Sequence, residues 1–172
     1  PNGAQGRPKA WWAYVADAAG VRPKEVMLSA EGGSGLLMRG MDRTGAFCSG
    51  TTFGDRLREI GRTRPDVILV EVGRNDIKHC TRTSRRASTL AERRAAAVEY
   101  FGALAAQADR HGIPRSSVYV LTAWGAAYSG PQVATTTIYE AEATARGLTW
   151  VPVPALTRQQ TNDGTHPTAQ GA

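Results

Sequence analysis

Apolar positions along the chain switch between two spacings, and the switches predict alternating helices and strands. Helical stretches repeat apolar residues about every 3.6 positions, whereas buried strands appear as short continuous apolar runs. Helices are predicted over residues 9–19, from a cap at Thr51 or Thr52 to Pro65, over 88–111, over 132–146 and from Pro167 to the end of the chain. Strands are predicted over residues 25–29, 66–72, 117–123 and 148–152.

The resulting order of elements predicts an α/β domain. Strands separated by helices favour a mainly parallel sheet, and the nearly unbroken apolar run 66–72 is typical of a parallel strand covered on both faces. The chain of 172 residues shows no linker, repeat or low-complexity tract, so a single domain over 1–172 is expected. The inner stripe of helix 88–111 is predicted to contain Leu90, Ala97, Val98, Phe101, Leu104, Ala105 and Ala108.

Composition narrows the class of protein. With 41% hydrophobic and 21% charged residues, the balance is globular rather than disordered. No apolar run is long enough for a transmembrane span, and no signal peptide is visible, although one removed earlier leaves no trace. The net charge of +6 comes mostly from arginine. It fits either an anion-binding patch or an ordinary solvated surface, and no nucleic-acid partner is expected because no nucleic-acid-binding motif accompanies it.

Cysteines and histidines offer no metal site. Cys48 and Cys80 lack the spacing of metal ligands, and His79, His111 and His166 are scattered, so no metal or other cofactor is predicted. The two cysteines form either one disulfide, as in an oxidising compartment, or two separate thiols. His111 is interpreted as a structural residue, since a cationic side chain is favourable at a helix C-terminus.

A turn near the C-terminus carries the first candidate for catalysis. Residues 163–167 read Asp-Gly-Thr-His-Pro, which places the Asp163 carboxylate three positions from the His166 imidazole. Such a pair can form a couple in which the carboxylate fixes the tautomer of a general base. Asp-Gly is also common turn chemistry, so the motif alone is a weak signal and also fits a plain turn.

Two further turns follow predicted strands, where ligands bind in open α/β sheets. Residues 31–35 (Glu-Gly-Gly-Ser-Gly) form either a turn whose backbone N–H groups approach a ligand or a plain tight turn. Residues 73–76 (Gly-Arg-Asn-Asp) follow strand 66–72. Asn75 in this turn can donate its side-chain amide to a developing oxyanion, or it can serve only an Asx-type turn.

Read together and in this order, the blocks Ser34-Gly35, 73–76 and 163–167 resemble the SGNH/GDSL hydrolase family, over nearly the whole chain. The resemblance implies a flavodoxin-like three-layer α/β/α sandwich and a serine esterase that needs no cofactor. It implies that His166 is the general base, Asp163 its orienting partner, and Gly35 and Asn75 the oxyanion donors. A small-molecule, lipid or O-acylated carbohydrate ester is the expected substrate.

The nucleophile of that family is a serine in a Gly-Asp-Ser block at the end of its first strand. No such block occurs in the sequence, so it is expected upstream of Pro1, and both ends of the domain are expected to be clipped. The family's first strand lies between its second and third. By the resemblance Ser34 lies beside the oxyanion donor, which disfavours Ser34 or Ser49 as a substitute nucleophile. A catalytically inactive module that binds carbohydrate or protein is the alternative function.

The resemblance also bears on the cysteines. It places the loops that contain Cys48 and Cys80 at the same edge of the sheet, which favours a disulfide and a secreted or cell-surface protein. A cytoplasmic location is expected if the two cysteines are not bridged.

Several side chains near this edge keep two interpretations. Arg74 either binds an anionic group of the substrate or faces solvent. Trp124 and Tyr128 either line an acyl or sugar pocket or simply pack. His79 is either a substrate contact or an exposed loop residue.

Overall fold

The computed structural model describes residues 10–81, 84–122, 130–163 and 166–168. The chain divides into two compact units. One unit contains the described residues of 10–28, 154–163 and 166–168. The other contains those of 29–81, 84–122 and 130–153, and with them the hydrophobic core.

The helices and strands follow one another largely as the apolar spacing predicts. The helices are α1 (Trp11–Ala18), α2 (Phe53–Arg56), α3 (Arg58–Thr63), α4 (Leu90–Arg110) and α5 (Gly130–Thr144). The strands are β1 (Ile68–Val72), β2 (Lys78–Cys80), β3 (Arg85–Ala87), β4 (Val118–Thr122) and β5 (Thr149–Val151). Short 3-10 turns lie at Pro23–Glu25, Arg115–Ser117 and Arg158–Gln160.

A parallel sheet forms the centre of the larger unit. Its three strands lie in the order β1–β4–β5, and both pairs are parallel, with Val70 opposite Val120 and Val120 opposite Trp150. Helix α4 connects the first pair and α5 the second, as parallel strands require. The prediction of an α/β fold with a parallel sheet is therefore confirmed. In β1, Val70 and Val72 are buried while Leu69 is exposed, so the expectation that this strand is covered on both faces is wrong for the described residues.

Helix α4 packs against the sheet, but its buried stripe differs from the predicted one. Thr89 caps the helix, and its Oγ1 accepts from the Glu92 N–H at 3.2 Å. Leu90 and Val98, predicted to face the core, are exposed, whereas Arg93 and Tyr100 are buried. Arg93 can be buried because its guanidinium donates hydrogen bonds to Ser88 and Thr135.

The segment between Thr52 and Pro65 is two short helices rather than the one predicted. Thr52 Oγ1 accepts from the Asp55 N–H at 3.2 Å, which caps α2 as the sequence suggests. Helix α2 ends just before Leu57, and α3 begins just after it. Arg64 follows in the left-handed region with a φ of +47°, which ends α3 just before the proline.

Two local predictions are wrong, and one element was not predicted. Residues 25–29 are not a strand, since no described strand pairs with them, and the apolar side chains of Met27 and Leu28 are exposed. Pro167 does not begin a helix but forms an isolated antiparallel bridge with Thr161, and residues 169–172 lie outside the described part of the chain. The antiparallel hairpin of β2 and β3 was not predicted, because its polar sequence gives no apolar alternation.

Among the residues that the structure describes, no helix combines the length and the apolar character needed to cross a membrane.

Candidate active site

The Gly-rich turn is folded by its own backbone and by one serine. The Ser34 N–H donates to the Glu31 carbonyl at 3.2 Å, and Ser34 Oγ donates to the same oxygen at 2.8 Å. Gly33 has a φ of +73°, in the left-handed region that glycine adopts without strain. Ser34 is buried. These bonds fix both the side chain and the backbone of Ser34.

The turn after β1 brings Asn75 to that serine. Gly73 leaves the strand with a φ of +101°, where a side chain would be strained. Asn75 Nδ2 then donates to the Ser34 carbonyl at 2.8 Å, across a separation of 41 residues. An asparagine amide carries two N–H bonds. One orients the side chain, and the second can donate to a ligand.

Asp76 is fully buried and ties the same turn to the Gly-rich segment. Its Oδ1 accepts from the Leu37 N–H at 2.9 Å. Burial raises the pKa of Asp76, and the hydrogen bond from the Leu37 N–H offsets this only in part. Neither Tyr139 Oη nor Asp76 Oδ2 has a hydrogen-bond partner within the described residues.

Gly35, a predicted oxyanion donor, packs directly against Asp76. A Cβ atom on Gly35 would overlap the Asp76 carboxylate, so no side chain fits there. The Gly35 N–H donates to the Met38 carbonyl at 2.9 Å, and the Gly35 carbonyl accepts from the Phe53 N–H at 3.0 Å. The N–H is thus paired within its own loop. To donate to a ligand, it would have to exchange the Met38 carbonyl for that ligand, so its role as a donor stays a prediction.

A buried arginine that the sequence pattern missed supports the Asn75 turn. Arg93 is 5% exposed, and its Nε donates to Ser88 Oγ at 2.7 Å. Ser88 Oγ donates in turn to the backbone carbonyl of Asp76. Arg93 Nη1 donates to the Pro131 carbonyl and to Thr135 Oγ1, both at 2.9 Å. The side chain therefore links the turn after β1 with the first turns of α5.

The Asp–His pair belongs to the other unit and is hydrogen-bonded. His166 Nδ1 lies 2.7 Å from Asp163 Oδ2, and the His166 N–H donates to Asp163 Oδ1 at 2.8 Å. A carboxylate at Nδ1 favours the tautomer with its proton there, which leaves the lone pair on Nε2. The His166 side chain is 75% exposed. This arrangement suits a base that accepts a proton at Nε2.

Cys48 and Cys80 form a disulfide, as predicted. Their Cα atoms are 5.6 Å apart. The bridge joins the loop that follows the Gly-rich turn to β2, and the Cys80 N–H adds a bond to the Leu37 carbonyl at 3.3 Å. Disulfides are typical of oxidising compartments, so the bond is consistent with a location outside the cytoplasm.

Other side chains singled out in the sequence have different surroundings. The charge of Arg74 influences the pKa of Glu71. Burial raises this pKa to about 7, and the positive charge of Arg74 offsets the rise only in part. The interpretation of His79 as an exposed loop residue is wrong, because it lies in β2 with Nδ1 3.2 Å from Glu92 Oε1. Trp124 and Tyr128 lie outside the described residues.

Comparison with known proteins adds no relative. The chain matches no protein-family model, no curated protein and no solved structure. Within the described ranges, no group of three Asp, Glu, His or Cys side chains is arranged to hold a metal ion. The contacts of Ser34, Asn75, Asp163 and His166 are therefore the basis on which a function can be proposed.

Proposed function

We propose that the protein is a serine-dependent ester hydrolase of the SGNH/GDSL type, an acyl or acetyl esterase or lipase-like enzyme. The observation that carries the proposal is the hydrogen bond between His166 Nδ1 and Asp163 Oδ2. Such a couple holds the imidazole in one tautomer and stabilises the imidazolium that forms during acyl transfer.

The proposed reaction proceeds in two steps. The hydroxyl of a serine, expected upstream of Pro1, attacks the ester carbonyl while His166 Nε2 takes its proton. The tetrahedral intermediate collapses, the bond to the alcohol breaks, and His166 gives its proton to the leaving alcohol. Water then attacks the acyl-serine with the same base, releasing the carboxylic acid and restoring the serine hydroxyl.

Asn75 is proposed to stabilise the negative oxygen of each intermediate. Its amide is held by the Ser34 carbonyl through one N–H, and the other N–H is the donor. A single donor of this kind contributes about 3–4 kcal/mol in the transition state. Gly35 joins it only after its N–H has left the Met38 carbonyl.

The fold proposed for the active protein is the flavodoxin-like three-layer sandwich. The parallel order β1–β4–β5 with a helix in each crossover supports it. Strand β1 lies at the edge of the sheet in the described residues, and its Leu69 is exposed. An additional strand beside β1 would pair the backbone groups of that edge.

The proposed substrate is a small-molecule, lipid or O-acylated carbohydrate ester, and the proposed location is secreted or cell-surface. The Cys48–Cys80 disulfide supports the location, because such bonds persist where the surroundings are oxidising.

The proposal is tested by hydrolysis of a short-chain nitrophenyl ester by the full-length protein. The His166→Ala variant is expected to lose more than about a thousandfold in kcat, since the general base is removed. His111→Ala at the C-terminus of α4 is the matched control and is expected to keep wild-type activity. Equal activity of His166→Ala and the wild type would refute the assignment.

The alternative is a catalytically inactive module that binds carbohydrate or protein. The internal pairing of the Gly35 N–H with Met38 favours it, because a predicted oxyanion donor is already occupied. A full-length protein that turns over no ester but binds an acylated sugar, with or without His166, would support this alternative.

A further inference from the structure

Arg56 lies against the Gly-rich turn with its guanidinium engaged on two sides. Nη2 donates to Ser34 Oγ at 3.0 Å, and Nη1 donates to Thr51 Oγ1 at 2.9 Å. The guanidinium carbon lies 4.9 Å from the centre of the Phe53 ring. The side chain is only 14% exposed. Arg56 is therefore part of the packed loop.

A carboxylate in the same loop balances this charge. Glu31 Oε2 lies 3.7 Å from Arg56 Nη1, and the carboxylate accepts from the Thr51 N–H at 2.6 Å and from Thr51 Oγ1 at 2.7 Å. A Cβ on Gly40 or on Gly50 would overlap the Glu31 side chain. Two glycines thus leave the space that the carboxylate fills, and the ion pair belongs to the architecture of the loop.

Both partners keep their charges near neutral pH. Burial lowers the pKa of Arg56, and Glu31 opposes that effect. For Glu31, burial raises the pKa, but the Thr51 hydrogen bonds and the charges of Arg56 and Arg39 outweigh it, so the net pKa is lowered. The guanidinium of Arg56 is hydrogen-bonded to Ser34 and Thr51 and paired with Glu31. Its role is therefore to hold the loop rather than to bind a substrate anion.

We propose that Arg56 is a positioning residue for Asn75. Arg56 holds the side chain of Ser34, and the backbone carbonyl of the same Ser34 accepts the hydrogen bond that orients Asn75. One residue therefore separates the guanidinium from the amide. The catalytic consequence rests on the proposed function, whereas the orientation of Asn75 does not.

The variant that tests this role is Arg56→Lys. Lysine keeps the positive charge opposite Glu31, but its single ammonium lacks the planar fork that reaches Ser34 and Thr51 together. In the full-length protein, we expect kcat for a short-chain nitrophenyl ester to fall about tenfold with KM unchanged, because the misplaced donor acts in the transition state. Arg62→Lys, on an exposed arginine that bonds Glu59, is the control and keeps the wild-type kcat.

A second measurement reports on Asn75 without any need for turnover. The side-chain amide signals of Asn75 are identified in ¹⁵N-resolved NMR spectra by their loss in Asn75→Ala. In Arg56→Lys, these signals are expected to move towards those of an asparagine side chain that no hydrogen bond holds in place. In Arg62→Lys, they stay in place. Ser34→Ala, which removes the hydroxyl that Arg56 bonds, should move them in the same direction. It also carries the test should Arg56→Lys fail to fold.

The two readouts separate the two proposals. Asn75 signals that move in Arg56→Lys or Ser34→Ala, in a full-length protein that hydrolyses no ester, support the positioning role and refute the esterase. Asn75 signals that stay in place in the folded variants refute the positioning role, whatever the activity. Where the protein is active, adding Ser34→Ala to Arg56→Lys should lower kcat no further, and a full second loss would contradict a path through Ser34.

Discussion

The carboxylate of Asp76 occupies the space that a Cβ atom on Gly35 would need. Asp76 is fully buried, and its Oδ1 is bonded to the Leu37 N–H at 2.9 Å. The carboxylate therefore cannot move aside without giving up that bond. Packing alone requires glycine at position 35, whether or not its N–H takes part in catalysis.

Gly35→Ala is expected to lower the free energy of unfolding by about 1–3 kcal/mol, because an added methyl group must displace a buried, hydrogen-bonded carboxylate. Urea unfolding of the variant and the wild type measures the change. Gly54→Ala in α2 is the control: its Cβ would meet Thr52 Oγ1 at an ordinary 3.6 Å, and alanine favours a helix. Equal losses in the two variants would contradict the packing argument.

On the proposed esterase function, Asn75→Ala is expected to lower kcat of the full-length protein by about 10²–10³-fold, the usual cost of one oxyanion donor. Asn75→Asp keeps the size of the side chain but removes the amide donor, so it should be similarly impaired. Steady-state kinetics on a nitrophenyl ester give both values. An Asn75→Asp enzyme with wild-type kcat would show that the amide is not a donor.

Reduction of the Cys48–Cys80 disulfide is expected to destabilise the protein by about 3–4 kcal/mol, the loop-closure value for a separation of 32 residues. Urea unfolding with and without reductant measures this loss. The Cys48→Ser/Cys80→Ser double variant should match the reduced wild type and should not respond to reductant. A wild type that is equally stable in both conditions would contradict the prediction.

Stability is expected to fall between pH 4.5 and pH 7 because of Glu71. Burial raises the pKa of Glu71 from 4.5 to about 7, so the fold favours the protonated form. This contribution is complete below pH 4.5 and is lost as the pH rises through 7.

Glu71→Gln should therefore be more stable than the wild type at pH 8, by about 1–3 kcal/mol, and the difference should shrink at pH 4. Urea unfolding at the two pH values tests this. Glu99→Gln, on the exposed side of α4, is the control and should retain the wild-type pH response. If the stability of Glu71→Gln depended on pH as that of the wild type does, the raised pKa of Glu71 would be refuted.

The buried face of α4 differs from the one that apolar spacing predicts. Apolar spacing predicted the helix itself, along with Phe101 and Leu104 in its core. It could not predict that Arg93 is buried, because the acceptors that compensate its buried guanidinium are Ser88 and Thr135 in α5. Thr135 lies 42 residues away in the chain, and such a distant partner leaves no periodic signal.

The candidate site divides in the same way. Asp163 and His166 lie three positions apart, so a local motif was enough to predict their pairing. The contacts of Asn75 and Arg56 with Ser34 span 41 and 22 residues, and no local spacing encodes them. Arg56 was overlooked because one arginine stands out little in an arginine-rich chain.

By itself, the sequence determined the alternation of helices and strands and the turns that carry the polar groups, because periodicity, caps and glycines act over a few neighbouring residues. Only the tertiary structure decided which of those groups meet. The hydrogen bond from Asn75 to the Ser34 carbonyl, the burial of Asp76 and the hydrogen bond from Arg56 to Ser34 depend on packing and desolvation between distant segments. The first of these contacts orients the side chain of Asn75.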